Sequence, residues 1–507
     1  MEFFRRAGRW RSEKPKRKED AYTPGRKFLL IQVLIVFLFG ILTIQLVRMQ
    51  VLEADDYREQ AENNRLRELQ VLPLRGLIYD RNGTPLVQNV ANYAAVIVPA
   101  DLPVKNEDAV FARLGSVLGM PAQEIAQKVR AKRQNGNPYE PLVIKDELER
   151  DAALTLKELT SYLPGVDLQI EARRNYLSGD LTSHILGYVG RISEEEYERL
   201  KGNGYMLNDQ LGKMGVELTY EDVLRGEPGK KLMEVNASGR QLDVLDSRAT
   251  EPGQSVVLTL DLDLQRKTAD VLRELMGSSD NAAAVVMDVQ TGEILAMVSL
   301  PSYDNNVFSS ALSQEELDAL LEEPSKPLLN HTIAEMYAPG SSFKPITGLA
   351  ALQEGVATTS TTITSHGYIT VENEYDPSVV YVFKDWSALG TLDFYRGLAM
   401  SSDVYFYYLA GGKQDEGFRG LGEERLARYA RAFGLGEATG VDLPGESAGL
   451  VPDAKYKEET FGEAWYVGDT YNFGIGQGYL AVTPLQLLDA ISAIANGGEL
   501  VRPRLVK

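Results

Sequence analysis

From residue 28 to residue 47 the chain reads FLLIQVLIVFLFGILTIQLV, twenty residues without a charge. A helix of that length crosses the ~30 Å hydrocarbon core of a bilayer. The run is longer than the apolar core of a signal peptide and passes into Arg48 and a charged stretch without a small-x-small cleavage site, so it predicts an uncleaved anchor. Residues 49–70 lack Gly and Pro and are rich in helix formers, which predicts a helical stalk ended by Pro73. Beyond it, to about Pro252, β-branched runs such as 94–98 alternate with charged helical stretches such as 193–201. That alternation predicts a mixed α/β region.

A second region begins where Ser255-Val-Val-Leu-Thr-Leu260, read as a strand, meets a helix with Leu264, Thr268, Val271, Leu272 and Leu275 at helical spacing. Residues 283–287 and 293–298 then flank a turn-rich connector at 288–292 and predict a hairpin at the centre of an antiparallel sheet. The last clear helix starts with Thr483 as N-cap and Pro484 at its first position. It turns Leu487, Leu488, Ile491, Ile494 and Ala495 inward and stops at Gly497. No repeat or low-complexity run appears beyond the basic N-terminal tail.

Length and composition narrow the chemistry. At 507 residues, 44% hydrophobic and 25% charged, the chain is several domains of ordinary globular composition. The net charge of −19 repels phosphate backbones, so no nucleic-acid partner is expected. There is no cysteine, which removes disulfides, thiolate nucleophiles and Cys-ligated metals. The three histidines, His184, His331 and His366, have no metal-binding spacing, so neither a metal nor a cofactor is expected. The first 27 residues carry a net charge of +6, and such a basic flank holds the N-terminus in the cytoplasm. Everything after Arg48 is then extracytoplasmic on a single-pass inner or plasma membrane protein.

Three serine signatures compete for the chemistry. Gly445-Glu446-Ser447-Ala448-Gly449 is a literal G-x-S-x-G, but no strand precedes it and no histidine follows Ser447, so it reads as a loop. Ser279-Asp280-Asn281 precedes every S-x-x-K and reads as a turn. The third, Ser341-Ser342-Phe343-Lys344, follows the Pro339-Gly340 turn and runs into an apolar helix over 346–353. A spacing of three puts Ser341 and Lys344 on one helix face, as a nucleophile and its base require. The same residues also suit an N-cap and a solvated lysine. Amides of a first helical turn favour negative charge and would assist an oxyanion beside Ser341. Further on, Ser401-Ser402-Asp403 precedes Val404-Tyr-Phe-Tyr-Tyr408, too aromatic for a surface helix. Ser401 is a candidate proton relay and Asp403 a candidate for orienting Lys344 or binding a substrate amide; a helix cap is the plainer alternative.

Together these residues resemble the first two active-site motifs of the penicillin-binding proteins. Other stretches strengthen the resemblance: Arg75-Gly76-Leu77-Ile78-Tyr79-Asp80-Arg81-Asn82-Gly83 and Gly212-Lys213-Met214-Gly215-Val216-Glu217 are similar to motifs of the class B non-catalytic module. Ala296-Met297-Val298-Ser299-Leu300-Pro301-Ser302-Tyr303-Asp304 and Gly474-Ile475-Gly476-Gln477-Gly478 through Thr483-Pro484-Leu485-Gln486 are similar to stretches of the catalytic one. S-x-D rather than S-x-N leans toward the elongation type, with the division type as close rival.

The resemblance implies an α/β and α+β multidomain protein. A basic tail (1–27) and a single transmembrane helix (28–48) precede a stalk and mixed α/β pedestal of the dimerisation type (49–254). A penicillin-binding, serine β-lactamase-like transpeptidase domain, an antiparallel sheet with helices, covers 255–507. It implies a serine D,D-transpeptidase with Ser341, Lys344, Ser401 and Asp403 as catalytic residues, D-Ala-D-Ala stem peptides as substrate and β-lactams as inhibitors. A polytopic glycosyltransferase and other elongation-complex proteins are the implied partners, and a non-catalytic scaffold for that polymerase is the alternative function. A β-lactam sensor also carries S-x-x-K, but the long region 73–252 argues against it. The sequence departs from the family in having no K-[ST]-G. The third-motif strand, with a substrate hydroxyl and one oxyanion donor, is therefore expected to be missing by C-terminal truncation. The chain as it stands is expected to be inactive, with an unpaired edge near Val285 and Ile294. Some relatives bind zinc near this site, but Asp385-Trp386-Ser387-Ala388-Leu389-Gly390 lacks His, and no metal is carried over.

Overall fold

The computed structural model describes residues 25–52, 66–103, 105–206, 209–235, 241–309, 314–373, 376 and 378–507. The tail expected over 1–27 lies outside them except for its last three residues, as does 53–65 of the stalk. The chain divides into two compact units, one of residues 1–69 and 231–247, the other of 70–230 and 248–507.

In the first unit, helix α1 (Gly25–Val47) contains the expected anchor. Over 31–51 its mean hydropathy is 2.2 and none of it is buried, so it is a candidate membrane span by length and composition. It loosens into a π turn at Arg48–Leu52. The end of the expected helical stalk is instead the strand Leu66–Val71, which joins Gly229–Val235 and Gln241–Arg248 in a three-stranded sheet. Sheet pairing overrides the helix propensity of LRELQV, as tertiary context regularly does.

The second unit opens on the pedestal. Its strands are β1 (Ile78–Tyr79), β2 (Pro85–Ile97), β3 (Leu142–Lys145), β4 (Val166–Tyr176) and β5 (Val256–Val257). β2 is the spine: β4 pairs antiparallel with it from Val87 to Ile97, β1 and β3 pair along its other edge, and β5 lies parallel to β1. Helices Glu107–Leu118, Ala122–Asn135 and Arg150–Thr160 bury Phe111, Leu114, Ile125, Val129 and Leu156 in one core with Ala95 and Ile97. The helical stretch read over 193–201 is Glu194–Leu200, started by a capping box on Ser193. The two stretches that resemble motifs of the non-catalytic module, around Arg75 and around Glu217, also meet. Arg75 binds Glu217 at 2.6 Å and Glu221 at 2.7 Å, and Arg174 binds Glu217 at 2.7 Å. Burial alone would raise the Glu217 carboxyl, but the two guanidinium groups outweigh it and hold it below the usual range.

In the region from residue 255 onward α2 (Leu262–Leu275) lies on β7 (Ile294–Leu300), which pairs antiparallel with β6 (Ala282–Met287) in the register Ala282↔Leu300 to Met287↔Ile294. The inward face of α2 is not the apolar stripe. Gln265 and Ala269 are buried, while Val271 and Leu275 are exposed. Gln265 explains the rotation, because its amide accepts from Met297 N and donates to Met297 O and Leu181 O at 2.7 to 2.9 Å. A side chain that satisfies strand backbone is inward despite being polar.

A helical cluster follows. α3 (Lys344–Gln353), α4 (Asp403–Gly411) and α5 (Val467–Gly474) pack around Phe343, Ile346, Phe406, Tyr471 and Phe473. Residues 404–410 are all buried, as the aromatic run predicts. Short antiparallel pairs flank the cluster: β8 (Ile363–Ser365) with β11 (Gly390–Leu392), and β9 (Tyr368–Glu372) with β10 (Val380–Lys384).

α6 (Pro484–Asn496) has the expected Thr483 cap, Pro484 start and Gly497 stop. Its buried face, however, is Leu485, Gln486, Asp489, Ala490, Ser492 and Ala493, and Ile494 is exposed. A glutamine again sets the rotation: Gln486 Nε2 donates to Glu437 O and Ala448 O, each at 2.7 Å.

Among the described residues β6 hydrogen-bonds only to β7, so its outer edge carries no strand. At Ile294 the expected open edge is covered, since Ile294 N donates to Arg504 O and Thr259 N to Leu505 O.

Candidate active site

Ser341 lies in a 3₁₀ turn, Gly340–Phe343, that leads into α3. No side-chain cap bond is found at the start of either element, so Ser341 is not an N-cap. Its hydroxyl is exposed and lies 3.0 Å from Ser401 Oγ. Pro345 occupies the first turn of α3, where a missing N–H costs nothing.

Lys344 is not a solvated lysine. Only 1% of it is exposed, and Nζ donates to Asp403 Oδ1 at 2.7 Å, Ser401 O at 2.7 Å and Ser401 Oγ at 3.1 Å. These partners account for all three donors of an ammonium group. The ring of Phe406 stands 5.6 Å from Nζ. The spacing of three does put Ser341 and Lys344 together, but Ser401 Oγ stands between them as the bridging hydroxyl. All four expected residues therefore form one hydrogen-bonded chain: Ser341, Ser401, Lys344, Asp403.

Ser401 has φ of +51°, a left-handed conformation that costs a non-glycine residue about 1 to 2 kcal/mol. It occupies the turn between the helix Phe394–Ala399 and α4. Ser402, fully buried, is the N-cap of α4, its Oγ accepting from Tyr405 N.

Sequence reasoning missed two parts of the site. The Gly474-Ile-Gly-Gln-Gly478 stretch carries no chemistry but buttresses the nucleophile. Gly340 N donates to Gly476 O at 2.7 Å, Thr347 Oγ1 donates to Gly474 O at 2.8 Å, and a Cβ on Gly476 would lie 2.1 Å from Gly340 O. Only glycine fits that approach, at φ of +73°. The second is Asp385, noticed in the sequence for a neighbour that is not His. Its carboxylate accepts from Ser402 Oγ at 2.6 Å. A fixed spacing between glycines, or an Asp after a strand, carries no signal of such contacts.

The two rejected serines stay apart from this chemistry. Ser447 lies in coil and its Oγ accepts from Gly449 N. Ser279 and Asp280 form the turn between α2 and β6, and Asn281 donates to Glu335. Among the described residues no three His, Cys, Asp or Glu side chains converge to hold a metal ion.

Comparison with known proteins gives the same two-part organisation. The penicillin-binding protein dimerisation domain matches residues 70–258, and the penicillin-binding protein transpeptidase domain matches residues 282–507. The chain is 34% identical over 488 residues to the peptidoglycan D,D-transpeptidase MrdA of Haemophilus influenzae, covering 95% of this chain and 72% of that protein. Against the Escherichia coli K12 protein of the same name it is 34% identical over 487 residues, covering 95% and 74%. Among solved structures, penicillin-binding protein PBP2 in complex with MreC from Helicobacter pylori superposes with a TM-score of 0.74 at 29% identity, covering 87% of this chain and 78% of that one. A peptidoglycan synthase complex that coordinates polymerization and crosslinking contains a chain matching at a TM-score of 0.65 and 33% identity, over 95% and 79%. A serine–serine–lysine–aspartate chain at the head of α3, behind a matching pedestal, places this protein in the penicillin-binding protein family, class B, of the PBP2 type.

Proposed function

We propose that the protein is a peptidoglycan D,D-transpeptidase of cell-wall elongation, with Ser341 as nucleophile, Lys344 as base, Ser401 as relay and Asp403 as the group that orients Lys344. The hydrogen-bonded chain from Ser341 Oγ through Ser401 Oγ to Lys344 Nζ carries this reading. An ammonium with all three hydrogens engaged cannot take a proton, so the working base is the neutral amine. Neutral Lys344 would still donate to Ser401 O and Asp403 and would accept from Ser401 Oγ, whose lone pair accepts from Ser341. The relay then runs from Ser341 to Lys344. Ser341 Oγ bonds to the carbonyl carbon of the penultimate D-alanine of a stem peptide, its proton passing through Ser401 to Lys344. The C–N bond to the terminal D-alanine breaks, and the returning proton leaves with its amine. An acceptor amine of a second stem peptide then bonds to the acyl carbon, the C–O bond to Ser341 breaks, and the proton that the amine loses returns through Lys344 and Ser401 to Ser341 Oγ. A β-lactam enters the same path and stops at the acyl-enzyme.

A scaffold that never acylates has no use for a buried lysine linked through Ser401 to an exposed serine, which favours the enzyme. A polytopic glycan polymerase is the proposed partner, and the similarity to a chain of a peptidoglycan synthase complex supports it. The proposed division is an anchor at 28–48 with the basic tail cytoplasmic, a stalk and pedestal over 49–254, and a transpeptidase domain over 255–507. With no K-[ST]-G in its sequence, this chain alone is expected to acylate slowly, since losing one oxyanion donor costs about 10² to 10³ in rate.

A fluorescent penicillin tests the assignment in a version carrying a third motif. Labelling should be covalent, vanish in Ser341→Ala and persist in Ser447→Ala. Labelling that survives Ser341→Ala would overturn it. Protease added to intact spheroplasts should digest residues beyond 51 and spare 1–27; the reverse pattern would overturn the orientation.

A further inference from the structure

The turn that carries Ser401 has backbone bonds of its own, Ser401 N to Leu398 O and Ser402 N to Gly397 O, and is gripped from outside as well. Ser401 sits at φ of +51°, and its own hydroxyl and carbonyl are both committed to the active site, to Ser341 and Lys344. Neither group is left to fix the turn. The residues on both sides of it are gripped by one dipeptide that follows β10. Asp385 Oδ2 accepts from Ser402 Oγ at 2.6 Å and from Val404 N at 3.2 Å. Trp386 Nε1 donates to Met400 O at 3.1 Å. Asp385 is itself anchored: its N donates to Gly367 O at 2.8 Å, Oδ2 accepts from Ser365 Oγ at 3.1 Å, and Oδ1 accepts from Trp386 N at 2.9 Å. Carboxylate hydrogen bonds to buried hydroxyl and amide groups are among the stronger ones available.

We infer that Asp385 and Trp386 act as a positioning clamp for the reaction, bracketing Ser401 so that its hydroxyl and carbonyl meet Lys344 and Ser341. The inference rests on the transpeptidase reading for its catalytic consequence, but the geometry it asserts does not. Neither residue touches the reacting atoms; both act through Met400, Ser402 and Val404.

Two readouts separate the clamp from the assignment of the nucleophile. The first is the reactivity of Lys344 toward N-hydroxysuccinimide acetate, followed by mass spectrometry in the full chain, with the equally buried Lys457 as internal reference. In wild type both should be protected. Asp385→Ala should raise modification of Lys344 at least tenfold and leave Lys457 within twofold, whereas general loosening would raise both. Asp385→Asn retains a carbonyl acceptor for Ser402 and should restore most of the protection. Trp386→Phe keeps a ring but loses the indole N–H and should raise Lys344 reactivity by a few fold. The second readout is penicillin labelling of a version carrying a third motif, compared as a ratio. Asp385→Ala should slow acylation about 30-fold while changing the affinity of the non-covalent complex less than threefold, and Asp385→Asn should stay within fivefold of wild type. Lys344 protected equally in all variants, or modified in step with Lys457, would overturn the clamp. Wild-type labelling that persists in Ser341→Ala would instead overturn the transpeptidase reading, with the lysine readout still deciding the clamp.

Discussion

The site is built from side chains whose hydrogen-bond partners are set by their surroundings, and those surroundings predict measurable responses. Lys344 is buried against a partner, Asp403, whose side chain is a quarter exposed. Lys344→Met should abolish penicillin labelling and cost about 1 to 3 kcal/mol of stability. That is less than breaking a fully buried pair, because water reaches the stranded carboxylate. Urea unfolding alongside labelling would measure both. Elsewhere two buried groups oppose one another in acid. Burial drops His184 to about 4, against a donation to Pro327 O that favours its charged form. With the unfolded value at 6.5, its contribution is complete above that pH and is lost as pH falls toward 4. The loss is about 3 kcal/mol at most. Asp489 moves the other way: burial and then Glu446 push it up to about 6, so it favours the folded state below 3.8 and loses that contribution as pH rises through 6. His184→Gln should therefore flatten the fall in unfolding free energy between pH 7 and 4.5, and Asp489→Asn should raise stability at pH 7. A His184→Gln profile that parallels wild type would show that the ring takes up its proton equally in the folded and the unfolded chain. Chemistry restricts residue type, which is why the sequence put Ser341, Lys344, Ser401 and Asp403 forward as candidates, and the structure joins the four by hydrogen bonds. The sequence left Ser401 as the bridge between Ser341 and Lys344 unread, because a φ of +51° has no signature in a serine.

Elements were legible where their ends are written in local chemistry and less so where burial is. The start of α6 follows from Thr483 and Pro484 and its end from Gly497, just as Ser193 marks the start of Glu194–Leu200. The inward faces of α2 and α6 were misread for one shared reason. Each helix is keyed by a buried glutamine whose amide completes backbone hydrogen bonds of a neighbouring segment, and periodicity counts glutamine as surface. Gln265→Leu should therefore destabilise, by about 1 to 3 kcal/mol, although it adds hydrophobicity at a buried position, because Met297 N and O lose their partner. A variant as stable as wild type in a denaturant titration would show that β7 finds other donors. Gly476→Ala places a methyl into Gly340 O and should lower both the melting temperature and the rate of penicillin labelling. Labelling should suffer more, since the displaced segment is the one that carries Ser341.

At the scale of the molecule, the division into pedestal and transpeptidase regions was readable from motif order, but the shared core was not. One apolar cluster takes Ile78, Leu86 and Val87 from the pedestal strands, Leu258 and Leu260 from the junction, Met297 from β7, Leu485 from α6 and Leu505 from the C-terminal segment. A fragment ending at residue 252 lacks half of that cluster and should be less protease-resistant than residues 70–252 within the whole chain; equal resistance would show that the pedestal is autonomous. The same cluster dictates an order of events during synthesis. Lys507 Nζ reaches the carbonyl of Arg81 across a sequence separation of 426 residues, and Asp442 accepts from Leu505 N and Val506 N. Loops of that size close slowly, although their entropy grows only with the logarithm of length. Strands β1 and β2 therefore leave the ribosome early, and Ile78 and Val87 stay uncovered until Leu485 and Leu505 have followed them. Their survival in the interval depends on whatever shields a nascent apolar surface, so depleting cellular holdase chaperones should reduce the yield of this protein more than that of one whose core closes within its first hundred residues.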